Sequence, residues 1–279
     1  MRQQVRVLPG APLALRGECL DGFWSWSLVV LVPLLLAAMV AAHELGMRLH
    51  RRLSATSGES DAASSDEGFI LSGVLGLLAL LMGFSFSMAL SRLEDRRDLM
   101  LQETSAVGYL AMLAEGLPQE PADALKADLA QYAAARLDAA ELADGAARIA
   151  AENKAAALRE PLAAKVRAVL KQGQPGPHAV ALAAAFDAVE DTAVRRQALT
   201  QAHLPSRVLW LLAGYAVISA AMLGYALAGT RARHRVASTT LYLLISLAFG
   251  VILDLDRPRA GAIVVDQTPF AQTVKSLAP

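Results

Sequence analysis

The 279-residue chain is 55% hydrophobic and 19% charged, with acids and bases in balance at zero formal net charge, which excludes the basic footprint of a nucleic-acid binder. A single cysteine, Cys19, excludes an intrachain disulfide framework and a cysteine-rich metal site. Four stretches, 22–42, 68–91, 208–230 and 236–253, contain no Asp, Glu, Lys, Arg or His, and each is near the roughly 20 residues that span a bilayer core. The expected fold class is an all-α membrane protein, with four transmembrane helices in two hairpins and a soluble helical bundle inserted between the second and third.

Residues 1–45 read as an N-terminal tail and first transmembrane helix. Arg2, Arg6 and Arg16 ahead of an apolar run that ends in Val40, Ala41 and Ala42 also fit a secretory signal. The run is longer than a signal core, and Trp24 and Trp26 stand where interfacial anchors belong, which favours a retained helix. Pro33 in its middle reads as a kink. Residues 46–68, with the acidic run "SATSGESDAASSDEG", read as a flexible polar loop. Residues 69–91 are the second transmembrane helix. No breaker follows it, so one helix is expected from Phe69 to about Glu115, with Leu93, Met100, Val107 and Ala114 repeating every seven residues as a packing seam.

Residues 92–206 read as the bundle. Leu125, Leu129, Tyr132 and Ala133 follow helical spacing, as do Leu162, Val166, Val169 and Leu170, and Leu182, Phe186, Val189 and Ala193. Breaks are expected at Gly116 to Pro121, near 143–146, and at Gly173 to Pro177, with Pro161 as the first residue of a further helix. Residues 207–253 form a second hairpin, closed by the short "RARHRV" turn. Residues 254–279 hold the stretch "DLDRPR" and a tail expected to dock back, with Thr268 as N-cap, Pro269 as first helical residue, and Phe270, Val274 and Leu277 on one face. The two short reversals share one side of the membrane, and both termini and the bundle share the other. Arginines near the membrane ends are more numerous on the bundle side, which makes that side cytosolic and the membrane a bacterial inner membrane.

Catalytic and metal chemistry finds no support. The five histidines, His43, His50, His178, His203 and His234, are scattered over both sides of the membrane, and "HELGM" has Met47 where a zinc motif needs its second histidine. No Ser-His-Asp set or glycine-rich phosphate cradle can be assembled, so no enzyme activity, metal or cofactor is expected. Asp187, Asp191 and Arg195 read as a solvated helix face. Ser72, Gly73, Gly76, Gly83, Ser85 and Ser87 make the second span small-sided, as a packing seam within the protomer, a seam between protomers, or a pore lining requires. Asp254 and Asp256 end an apolar run where the helix dipole disfavours acids and favours Arg257 and Arg259. Their expected partners are Arg92, Arg96 and Arg97 after the second span and Arg207 at the start of the third, in one membrane-boundary charge network, after which Pro258 and Gly261 stop the helix.

Three pieces, "LLMGFSFSMALSRLEDRRDLMLQETSAVG", "HLPSRVLWLLAG" and "VILDLDRPRAGAIVVDQTPF", resemble the bestrophin-like family of bacterial membrane proteins, a domain of unknown function. The resemblance runs from about Phe69 to Phe270 and is most specific at "DLDRPRAG". It implies paired hairpins around a soluble helical insert and a distant likeness to bestrophin anion channels. No calcium-binding acidic loop is recognisable, so calcium gating is not carried over. The expected function is an oligomeric, ion-conducting (anion) pathway whose partners are the bilayer and copies of itself. The alternative is a non-conducting scaffold or signalling protein whose bundle binds a soluble partner.

Overall fold

The computed structural model describes residues 27–54, 62–142, 146–171, 176–228, 233–257 and 261–277. Among them it forms helices and no strand: α1 (Leu28–Ser54), α2 (Ala62–Ala114), α3 (Gln119–Glu141), α4 (Ala146–Lys171), α5 (Pro177–Gln201), α6 (Ser206–Ala226), α7 (Arg233–Asp256) and α8 (Thr268–Leu277). Cys19, Trp24, Trp26, the tail arginines, Arg231, Pro258 and Arg259 lie outside the described residues.

Four helices, α1, α2, α6 and α7, are long and apolar enough to cross a membrane. The apolar helix Gly68–Ala114 has 47 residues, a length of about 70 Å at ~1.5 Å per residue, against a hydrocarbon core of ~30 Å. The uncharged part, 68–91, matches that thickness, and Glu103 lies beyond its end.

Helix takes up both ends of the segment expected as a polar loop. Both α1 and α2 extend into 46–68, because lengthening an existing helix adds a hydrogen bond per residue without a new nucleation cost, and Arg51 and Arg52 in the last turn of α1 complement its dipole. Pro161 does not start a helix; it lies inside α4. The loss of a backbone donor there, about 3 kcal/mol, is offset by the apolar face on either side of it, where Ala155, Leu162 and Val166 are buried.

The chain packs as two compact units, Met1–Gly83 with Leu204–Gly250, and Phe84–His203 with Val251–Pro279. In the first, α1 packs along α6. A side chain at Gly46 would run into the backbone of Ala221 and Tyr225, and one at Gly224 into the backbone of His43, so these two glycines set how closely the helices approach. The Tyr242 hydroxyl of α7 donates to the Ala220 carbonyl at 3.3 Å and lies 2.8 Å from His43 Nδ1, joining α7 to α6 and α1.

In the second unit α3 packs against α4 and α8, and α4 against α5. Its core contains Met100, Val107 and Ala114 from α2, Leu125, Leu129, Tyr132 and Ala133 from α3, Leu162 and Val166 from α4, and Leu182, Phe186 and Val189 from α5. These are the positions that helical spacing selects. The tail is docked: Phe270 is fully buried in this core, and Val274 and Leu277 pack against it. Asp266 caps the start of α8, accepting from the Thr268 amide at 2.9 Å and its hydroxyl at 2.6 Å.

Candidate functional site

The last four carbonyls of α7 lack intrahelical partners, and the two acids at that end meet different groups. Asp256 has no solvent exposure, and its carboxylate lies 3.6 Å from Arg92 Nη1. Arg96, only 6% exposed, donates to the carbonyls of Leu255 at 3.3 Å, Ala202 at 3.1 Å and Asp256 at 3.0 Å. One buried guanidinium thereby satisfies two open carbonyls of α7 and offsets the negative end of its dipole. His203 Nδ1 stands 4.0 Å from the Asp256 carboxylate. Burial holds its pKa below the ordinary value although Asp256 opposes the shift, so the imidazole is neutral at pH 7.

Asp254 accepts from the amides of Ala262 at 2.9 Å and Ile263 at 3.0 Å. These amides lie in the described segment 261–267 and are satisfied by the carboxylate instead of water. A side chain at Gly261 would meet that carboxylate. Arg257 is buried; burial lowers its pKa, and the nearby Asp254 opposes the shift. The residues expected to form one network therefore divide. Arg92 and Arg96 gather at Asp256, while Asp254 ties down backbone beside Arg257. Arg97 is exposed and its charge acts on Asp266. Arg207 is exposed in the first turn of α6.

A second charged cluster lies in the bundle core. Glu103, on α2, has no solvent exposure. It accepts from Arg136 Nε at 2.7 Å and Nη2 at 3.1 Å, from Arg196 Nη1 at 2.6 Å, and from the Tyr132 hydroxyl at 3.0 Å. Burial alone raises a carboxyl pKa, but Arg136 and Arg196 overcome that and hold Glu103 at about 2. Burial pushes the Tyr132 hydroxyl up, and the Glu103 charge adds to the effect. Arg196 also reaches Gln267 at 2.8 Å and lies over the Phe270 ring at 5.6 Å, so the cluster joins α2, α3, α5 and the tail. Helical spacing holds the missed signal: Arg96 and Glu103 stand three residues after Leu93 and Met100, charged positions inside an apolar seven-residue seam.

On the spanning part of α2, a side chain placed at Gly73, Gly76 or Gly83 would meet nothing within 4 Å. Among the described residues, the glycines at which a side chain would run into the backbone of another helix are Gly46 and Gly224. At ~100° per residue, Ser72, Gly76, Gly83 and Ser87 fall within about 60° of one another, and all are exposed. Gly73 is exposed beside this stripe, whereas Ser85 is buried. Ser72 donates to the Gly68 carbonyl at 2.9 Å. Asp191 and Arg195 form an exposed i,i+4 pair at 3.0 Å, a solvated face. Among the described residues no group of three or more His, Cys, Asp or Glu is placed to hold a metal ion.

A family model described as Bestrophin-like domain matches residues 35–270. Solved structures of a bacterial bestrophin homologue from Klebsiella pneumoniae share the fold. A mutant form is 14% identical with a TM-score of 0.62, covering 88% of this chain and 97% of that one. A second structure is 14% identical with a TM-score of 0.60, covering 90% of this chain and 96% of that one. A substituted membrane protein, 12% identical, aligns with a TM-score of 0.64 over 88% of this chain and 97% of the other. No curated protein matches the chain.

Proposed function

Because the chain belongs to the bestrophin-like family, we propose that it is an oligomeric ion-conducting pathway of the bacterial inner membrane, carrying anions, with the small-residue stripe of α2 turned toward the shared axis. The observation that carries this reading is the exposure of Ser72, Gly76, Gly83 and Ser87 on one side of α2 with open space beside the glycines. Such a stripe lets copies of the helix approach closely and leaves hydroxyls for a wet path. Residues 92–206 are the soluble bundle, on the cytosolic side with both termini.

Arg92, Arg96 and Asp256 act in this reading as a clamp on the end of α7, not as conducting groups. Arg96 spends its donors on backbone carbonyls, as a structural residue does, and the acid it surrounds has no solvent exposure.

The test is purification in mild detergent, mass measurement of the particle, and chloride flux after reconstitution into liposomes. An oligomer whose flux falls when Ser87 is changed to Leu supports the reading. Intact oligomers without flux overturn conduction and leave the alternative, a scaffold whose bundle binds a soluble partner. Single cysteines at Ser60, Ala150 and Ser276, probed with an impermeant thiol reagent, test the topology: Ser60 labels from the side opposite to the other two. Labelling of Ala150 and Ser276 from opposite sides refutes the four-span arrangement.

A further inference from the structure

We propose that the outward face of α1 is a binding surface for an anionic phospholipid, with the phosphate held by Arg48 and Arg52 and an acyl chain lying along Leu34, Ala37, Ala41 and Leu45. At ~100° per residue these six positions fall within about 80° of one another, and all are exposed. The opposite side of the helix is the packed one: Leu35, Met39, His43 and Met47 are buried, and Gly46 is closed against Ala221 and Tyr225 of α6. From Leu34 to Leu45 the column runs about 16 Å at ~1.5 Å per residue, about half of a hydrocarbon core of ~30 Å. It therefore matches the depth of one leaflet.

The charges stand at the end of that column. Arg48 and Arg52 are one turn apart on the same side of α1, past the uncharged run that ends at Ala42. Side chains of a helix tilt toward its N-terminus, which leans both arginines back toward the bilayer. Their stems can then cover Leu45 and Leu49, which are 65% and 51% exposed within the protomer. Neither arginine has an ion-pair partner among the described residues.

Charge selects among headgroups. A guanidinium presents a fork of N–H groups that fits phosphate oxygens, and two of them stand here one turn apart. Glu44, one turn before Arg48, pairs with Arg235 of α7 at 3.5 Å. The cationic end of a zwitterionic headgroup would meet a carboxylate that already holds a cation, so a headgroup of net negative charge suits the surface better. A free phosphate finds the same arginines and gains nothing from the apolar column, whereas a lipid gains from covering it. This surface is on α1, apart from the α2 stripe, and does not depend on whether the protein conducts.

The test is thermal unfolding of the full chain, washed free of lipid in mild detergent, with dioctanoyl phosphatidylglycerol, dioctanoyl phosphatidylcholine or inorganic phosphate added at fixed ionic strength. Phosphatidylglycerol is expected to give a saturable rise in Tm, of about 3–5 °C at ten times its dissociation constant. Arg48→Gln combined with Arg52→Gln is expected to weaken that binding about tenfold or more. The lipid-free Tm of this double variant should stay within about 4 °C of the parent, because exposed side chains without ion pairs contribute little to folding. Arg195→Gln, which removes an equally exposed arginine from α5, should leave the phosphatidylglycerol rise unchanged. The proposal is overturned if phosphatidylcholine or inorganic phosphate gives the same rise as phosphatidylglycerol, or if the rise survives unchanged in the double variant.

Discussion

Replacing Glu103 with glutamine preserves the size of the side chain and removes the one negative charge that Arg136, Arg196 and Tyr132 converge on. Two guanidiniums then remain in the bundle core with a neutral amide, which can accept on only one side. Breaking a buried ion pair by removing one partner costs about 3–5 kcal/mol. An independent route agrees. The carboxyl is held at about 2 against an ordinary value of 4.5, and that gap, at about 1.4 kcal/mol per pH unit, corresponds to about 3 kcal/mol. For a chain of this size each kcal/mol moves Tm by about 2–4 °C, so Glu103→Gln is expected to lower Tm by about 6–20 °C. Circular dichroism during heating in mild detergent reads it.

The sign of the pH dependence follows from linkage. A carboxyl whose folded pKa is depressed contributes stability that is fully present above its unfolded value and is lost as pH falls through the folded one. The gap in Tm between the parent protein and Glu103→Gln should therefore be constant above about pH 5 and shrink toward pH 2. A variant within 2 °C of the parent at neutral pH, or a gap that stays constant through the acid range, refutes the ion-cluster argument.

Asp256 and Asp254 should separate in double-mutant cycles. Asp256→Asn combined with Arg92→Gln is expected to show coupling of about 1 kcal/mol or more, whereas Asp254→Asn with the same partner should be additive within about 0.5 kcal/mol. Additivity of the Asp256 pair dissolves the clamp on α7. Asp254→Ala, which strands two amides, should destabilise by about 1–3 kcal/mol and speed hydrogen exchange at Ala262 and Ile263. Gly46→Leu and Gly224→Leu should each cost about 3 kcal/mol or more, since backbone opposite them cannot yield, and should lower the yield of folded protein. Gly76→Leu should leave the fold of the protomer intact and reduce the oligomer population in detergent; an unchanged particle mass removes the α2 stripe from the interface.

Much of the fold is legible in the sequence because burial and lipid impose periodic constraints that act residue by residue. Uninterrupted uncharged runs mark the four candidate spans, and seven- and four-residue spacings select Met100, Val107, Leu129, Tyr132, Leu162 and Val189 for the core they occupy. Phe270 is placed in the docked tail by the same reasoning. The tertiary structure decided which polar groups meet. Glu103 finds Arg136 and Arg196, residues 33 and 93 positions away in the chain, and only the packing of three helices brings them together. Two acids separated by one residue look equivalent at a helix end, yet α-helical rotation sends one toward Arg92 and the other toward the amides of Ala262 and Ile263. Small residues on α2 and glycines on α1 and α6 carry the same composition signal; which of them faces a neighbour depends on helix azimuth, a property that no local stretch of sequence encodes.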